Sequence, residues 1–464
     1  MEPKVSPRVR TIQAAIILTP LAYGTVHPLP VALFQVAAYV VFGFWLVERW
    51  QRTGTWHHAR SPLLLIGFAA VSLGLFQLVP LPHWLVGWLS PGTHRWGHAG
   101  LETVGIDPGS WLSLAVVPWA TQQGTLWLGA LVCWFAVIQD EAGDPRTARR
   151  IVRTMAFTAI ALASLGLLQY FTGATAIFWI GAEHPNFHAS LVNPNNAAGL
   201  LTLGTMAILA ITLTTSPERR ALWTLGAVVT AGSAVLSLSR GGIGILFFSL
   251  AILGWLTLTK GAQGEQKKLW FRAAPVGFGV VLLAFVAWVG YTDVVGELRT
   301  VHGDTELNGR VPVWIDAVTS MSPDFPIFGI GYGNFEAVYP AYQSQAASVR
   351  YTAVENEYLH ALLEGGLIGA LLALSALTII LRRVHGLFTG RRHLGLSAPM
   401  AAGLLGILSH MMLDFPLHVG GPALWIVATA AIVMGRSTSG REPRQQHQPG
   451  HLSGPGPTAA TTGP

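Results

Sequence analysis

The sequence predicts an all-α polytopic membrane protein of about 12 transmembrane helices, with a long periplasmic loop between helices 9 and 10. Three observations predict it. Charged residues make up 11% of the 464-residue chain, less than half of the ~25% usual in soluble domains. Mean hydropathy is +0.48, and apolar runs of membrane-crossing length recur along nearly the whole chain. A hydrocarbon core takes about 20 apolar residues per helix. Runs of that order fall at 11–26, 30–47, 62–81, 112–138, 154–171, 197–215, 221–238, 241–259, 273–292, 365–381, 394–413 and 419–435. The first is expected to stay in the mature protein. Its exit, Gly24-Thr-Val-His-Pro28, lacks a small-x-small cleavage site, and a second apolar run follows at once.

Basic residues set the orientation. With the N-terminus cytoplasmic, 23 of the 28 Lys and Arg fall on the cytoplasmic side, leaving Arg95, Arg240, Arg299, Arg310 and Arg350 outside. The positive-inside rule is then obeyed at every loop, and both termini are cytoplasmic. The pI near 9.7 therefore reflects topology and excludes a nucleic-acid partner. A lone Cys133 inside an apolar run rules out an intramolecular disulfide.

Acidic residues run the other way. Ten of the 22 Asp and Glu lie between Asp293 and Glu364. The hydrophilic stretch at about 293–360 is the expected working segment within a membrane domain spanning 1–436. Its Pro and Gly punctuation predicts short helices joined by tight turns. Outer segments at 82–111 and 173–196 are expected to pack beside it, and Trp84, Trp88, Trp96 and Trp111 suit an interfacial position. The Gly-, Pro-, Thr- and Gln-rich tail at 437–464 reads as disordered and cytoplasmic.

The motifs on the outer side come in order: Asn193-Pro-Asn-Asn196, Ser239-Arg-Gly-Gly242, Gly309-Arg-Val-Pro-Val-Trp314, Pro326-x-x-Gly-x-Gly-x-Gly333, Glu355-Asn-Glu-Tyr-Leu359 leading into Leu363-Glu-Gly-Gly-Leu-Ile-Gly369, and Asp414-Phe-Pro-Leu417. Their order and spacing over about 190–420 resemble the O-antigen ligase and O-antigen polymerase family of bacterial envelope glycosyltransferases. The resemblance implies an inner-membrane enzyme that needs no metal and no cofactor. It would take a glycan from an undecaprenyl pyrophosphate carrier at the periplasmic face and pass it to a glycan, lipid or protein acceptor. The family's functional arginines would fall on Arg240 and Arg310. Its His-Asn pair would fall on Glu355-Asn356, where this chain carries a glutamate instead of the histidine.

The chemistry of the residues fits that scheme. Planar guanidinium forks bind phosphate oxygens in a bidentate way that an ammonium does not, and a carboxylate shielded from water can take a hydroxyl proton. Catalytic roles are thus expected for Arg240, Arg310 and Glu355, and substrate-binding roles for Asn356, His360, Asn193, Asn195 and Asp414. Each residue also has a plainer reading. Arg240 would snorkel or cap a helix end, Arg310 would pair with Asp304 or Glu306 on the surface, and Glu355 and Glu357 would be favourable charges in a helix's first turn. Asn193-Pro-Asn also reads as a turn ahead of a helix.

No metal set is legible. Glu357-x-x-His360 has the spacing of a di-metal helix motif but lacks the second copy such sites need, and Gly329-x-Gly-x-Gly333 lacks the strand–turn–helix setting of a dinucleotide fingerprint. The alternative function is a transporter of a small anion or lipid-linked glycan with Arg240 as the binding residue, for which repeat halves and polar groups near the midplane are the expected signs.

Overall fold

The computed structural model describes residues 6–54, 61–103, 105, 111–184, 186–260, 305–344, 350–390 and 395–435. The expected ninth apolar run and the C-terminal tail lie outside them. Among the described residues the chain is helical, with no strand longer than an isolated bridge.

The helices are α1 (Pro7–Leu21), α2 (Pro28–Thr53), α3 (Pro62–Gln77), α4 (His83–Leu89), α5 (Pro91–Thr103), α6 (Pro118–Glu141), α7 (Pro145–Thr172), α8 (Pro194–Thr214), α9 (Pro217–Leu236), α10 (Arg240–Lys260), α11 (Thr305–Asp316), α12 (Phe335–Val338), α13 (Glu357–Thr389), α14 (Ser397–His410) and α15 (Gly420–Met434). Many begin with proline in the first turn, where a missing N–H costs nothing because that donor has no intrahelical acceptor. Six of them, α2, α6, α7, α8, α10 and α13, are long and apolar enough to cross a membrane, while α3 and α15 are shorter apolar helices. The protein is a multi-pass membrane protein.

Helix α8 is the axis of the bundle. Of its apolar window 83% is buried inside the protein, against 22% for α2, which faces outward. It packs on α7, α9, α10, α14 and α15, and small residues bring the backbones close. Gly204 leaves no room for a Cβ against Ala159 of α7, nor does Gly242 of α10 against Ala198, so side-chain-free contacts hold the helices as they do in other membrane bundles.

Charges sort to the two ends. At one end Arg8 bridges Glu48 (3.0 Å) and Glu141 (2.8 Å), and Arg149 and Arg383 donate to the C-terminal carbonyls of Thr214 (3.0 Å) and Val433 (2.9 Å), which carry the negative pole of their helices. At the other end meet the start of α8, the α9–α10 break, the start of α13 and the α14–α15 turn, covered by a segment described at 305–344 and 350–356.

That covering segment has its own apolar core, built on Val313, Met321, Phe325, Phe335, Tyr339 and Val354. It consists of short helices and turns. Helix α5 docks on it through an Arg95–Asp324 ion pair, and Tyr342 donates to the same carboxylate at 2.7 Å. Around α4 and α5, Trp84, Trp88 and Trp111 stay exposed, as headgroup-level tryptophans do.

The glycine run at 329–333 works together with a break in α13. At Gly366 the backbone leaves the helix (φ +63°, ψ −159°), a conformation open essentially to glycine. The interrupted ladder is completed from outside. Ile330 N–H donates to Leu363 C=O (2.9 Å), Gly331 N–H to Glu364 C=O (3.1 Å), and Leu367 N–H to Pro326 C=O (2.9 Å). Gln77 of α3 adds amide hydrogen bonds to the carbonyls of Phe328 (2.6 Å) and Glu364 (2.8 Å). Irregular backbone at a membrane boundary persists where protein satisfies it in this way.

Candidate functional site

A cavity of about 1170 Å³ opens at the covered end of the bundle, with Asn193 and Asn195 at the start of α8, Ser239 at the α9–α10 break, and Arg310 and Glu355 from the covering segment on its wall. Each arrives there by a local cause. Asn193 is the N-cap of α8, its side chain accepting from the Asn195 amide at 2.8 Å, so the turn reading of Asn-Pro-Asn and the cavity placement both hold. Ser239 precedes α10 and accepts from the Gly242 amide at 3.0 Å, the N-cap bond. The same hydroxyl donates to Asn195 Oδ1 at 2.6 Å, tying the starts of α8 and α10 together.

Arg240 is therefore the first residue of α10. Next to it, Gly241 abuts the His410 imidazole, where a Cβ would lie 3.1 Å from Nε2. Arg310 acts electrostatically on both His410 and Asp414. The α10 N-terminus and the Arg310 guanidinium thus flank one buried histidine.

Arg310 lies on α11 and forms an ion pair with Glu355 through its Nε, while Asp304 lies outside the described residues. Its side chain is 11% exposed and that of Glu355 33%, so the carboxylate reaches the cavity while the guanidinium is mostly enclosed. Trp314, one helical turn after Arg310, donates to Val354 C=O at 2.9 Å and locks α11 to the residue before Glu355.

Glu355 is not a first-turn helix charge. It stands ahead of the cap Asn356, whose Oδ1 accepts from the Tyr358 and Leu359 amides at 3.1 Å. Its backbone is left-handed (φ +53°), as is that of Leu238 (φ +58°) on the same cavity wall. Such a conformation costs a non-glycine residue about 1–3 kcal/mol and clusters at functional sites.

Asp414 follows α14, 1% exposed. Burial pushes its carboxyl up to about 7. The Phe415 amide and Arg310 oppose the shift, and Glu355 and Glu357 add to it. It stands behind the Arg310–Glu355 pair and does not line the cavity. Asn356 acts as a cap, and His360 does not line this cavity either.

His360 faces a second, largely apolar cavity of about 620 Å³, shared with Glu357, Glu364, His418 and aliphatic residues of α3, α6, α13, α14 and α15. Glu355, just ahead of α13, lines the first space, and Glu357, in its first turn, lines the second. Two contributions escaped the sequence reading. Ser239 was seen only as a neighbour of Arg240, and His418 lies one residue beyond the Asp414-Phe-Pro-Leu417 motif that marked its turn.

The cavity wall thus presents a guanidinium–carboxylate pair, two amides and a hydroxyl, a set suited to a phosphate-bearing polar ligand, while Arg240, beside Ser239 in sequence, is not among its lining residues. No curated protein matches the chain. A family model described as O-antigen ligase matches residues 225–374, the stretch that runs from α9 into α13 and holds Arg240, Arg310, Glu355, Asn356 and His360. The matched stretch is about a third of the chain, and the family is the one that its ordered motifs resemble.

Proposed function

We propose that the protein is an inner-membrane glycosyltransferase of cell-envelope polysaccharide synthesis that moves a glycan from undecaprenyl pyrophosphate to an acceptor hydroxyl at the periplasmic face. The observation that carries this reading is the Arg310–Glu355 pair on the wall of a large polar cavity. The family match supports the reaction class.

In the proposed step, the donor pyrophosphate takes Arg310 from Glu355, because a guanidinium fork binds phosphate oxygens in a bidentate way. Arg240 supports the same group from the start of α10. The released Glu355 carboxylate accepts the proton of the acceptor hydroxyl as that oxygen attacks the anomeric carbon. The anomeric C–O bond to pyrophosphate breaks and undecaprenyl pyrophosphate leaves with the electron pair, its charge met by the arginines without a metal. In-line attack inverts the anomeric centre. Asn193 and Asn195 hydrogen-bond sugar or phosphate oxygens.

The test is transfer in proteoliposomes, using lipid-linked glycan as donor. Arg310→Lys is expected to lose about 100-fold in turnover, the scale of losing one preorganised donor to a developing oxyanion, because a point charge lacks the fork. Wild-type turnover by Arg310→Lys would contradict the assignment.

A further inference from the structure

In the second cavity, three metal-ligating side chains converge from two elements. His360 Nε2 and Glu364 Oε1 are 3.1 Å apart, one helical turn from each other. The α14–α15 turn brings the His418 ring to 4.4 Å from that of His360, centroid to centroid. One ligand atom from each of the three lies within 4.8 Å of the other two. We infer that His360, Glu364 and His418 form a site for one divalent transition metal of the zinc type, with an open coordination position toward the apolar cavity.

The donor set fits this ion. Two imidazoles and one carboxylate, with a fourth position free, are a known zinc arrangement, and bonds of about 2.0–2.2 Å bring ligand atoms to separations like that between His360 and Glu364. The outer shell is also built. Glu357 Oε1 is 3.4 Å from His418 Nδ1, leaving Nε2 for a metal in the carboxylate–histidine–metal pattern. That carboxylate oxygen is itself fixed by the Leu417 amide at 2.7 Å, and Glu364 Oε1 accepts from the Phe335 amide at 3.3 Å.

Charge favours a cation here. Glu357 and Glu364 are 9% and 6% exposed in their side chains, and burying two carboxylates side by side is costly without a positive charge between them. His360 Nδ1 is buried with no hydrogen-bond partner among the described residues, so hydrogen bonding alone does not account for how this ring is held. The cavity supplies a route in, and His418, 36% exposed, stands at the accessible edge. A bound metal would fasten α13 to the α14–α15 turn, which also carries Asp414. The inference does not depend on the glycan-transfer reading, since the Arg310–Glu355 pair lines the other cavity.

The experiment uses full-length protein purified on a histidine-free affinity tag, stripped with chelator, and titrated with Zn²⁺ by calorimetry and with Co²⁺ by visible absorption. One Zn²⁺ per chain is expected, together with the Co²⁺ absorption of a low-symmetry nitrogen–oxygen site. His418→Ala should weaken Zn²⁺ binding about 100-fold or more, and Glu357→Gln, which removes only the outer-shell carboxylate, about 10–100-fold. If His418→Ala does not fold, the wild-type Co²⁺ spectrum and Glu357→Gln decide. Absence of stoichiometric metal in the wild type, or wild-type affinity in both variants, would overturn the site. So would loss of binding in His94→Ala with retention in His418→Ala, which would assign the metal to the half-buried cluster of His83, His94 and His98.

Discussion

The guanidinium of Arg310 holds the carboxylate of Glu355 across 45 residues of sequence, joining a helix of the covering segment to the residue that precedes the cap of α13. The pair places a phosphate-binding fork and a proton acceptor at one point of the cavity wall. If donor pyrophosphate must displace Glu355 from Arg310, then weakening the pair changes donor affinity as well as rate. Arg310→Lys is expected to raise the KM for lipid-linked donor together with its loss of turnover, because substrate and transition state both use the fork. A KM unchanged from wild type would show that Arg310 does not touch the donor.

Ser239 joins α8 to α10 next to Arg240. Ser239→Ala should cost about 1 kcal/mol of stability as a lost N-cap, read as a lower melting temperature in detergent. Because the freed α10 start no longer aims Arg240, transfer activity should fall by more than folding alone explains. Activity that tracks the folded fraction would limit Ser239 to a cap.

Gly366 is held in a region that other residues avoid, and a Cβ there would run into the Ile327 carbonyl. Gly366→Ala should destabilise by about 1–3 kcal/mol from backbone strain alone, with the collision adding to that. Gly386 lies on the same helix with nothing near its Cβ position, so Gly386→Ala should be neutral or stabilising by up to about 1 kcal/mol. Equal melting temperatures for the two variants would contradict the role given to the glycine run.

Asp414 supplies a pH dependence with a definite sign. Its carboxyl rises from the ordinary 3.8 to about 7 in the folded protein, chiefly through burial, so the native state holds this proton more tightly than the unfolded chain. The linked stabilisation is complete below about pH 3.8 and is lost as pH rises through about 7. Asp414→Asn should therefore melt closest to wild type at or below about pH 3.8 and increasingly above it as pH rises to about 7. A gap between the two that does not change with pH would contradict this placement of the charge.

Much of the fold was legible because lipid demands long apolar runs, and those runs fall on helices wherever the described residues include them. Boundaries shifted where helices begin with polar turns. Helix α13 starts at Glu357, as its first-turn charge reading allowed, well ahead of the apolar run at 365–381, since its first turns carry Glu357, His360 and Glu364, which face a protein cavity. The candidate site was legible as motifs but not as a shape. Asn193, Asn195, Arg310 and Glu355 do share a wall, whereas His360 lines the second cavity. Helical spacing put His360 near Asn356 but gave no sign that a turn 60 residues beyond Tyr358, at His418, would meet it. The Arg310–Glu355 contact is a tertiary pairing, which local charge patterns at Asp304 and Glu306 could only obscure.

Glu355 carries the central claim, and Glu355→Gln tests it most directly, since the amide keeps the size of the side chain and removes its basicity. Transfer from lipid-linked donor should fall by about 100-fold or more, in line with losing a general base, while donor affinity stays the same or tightens as Arg310 is released from its ion pair. Wild-type turnover by Glu355→Gln in a correctly inserted protein would contradict the account and move proton acceptance to another group.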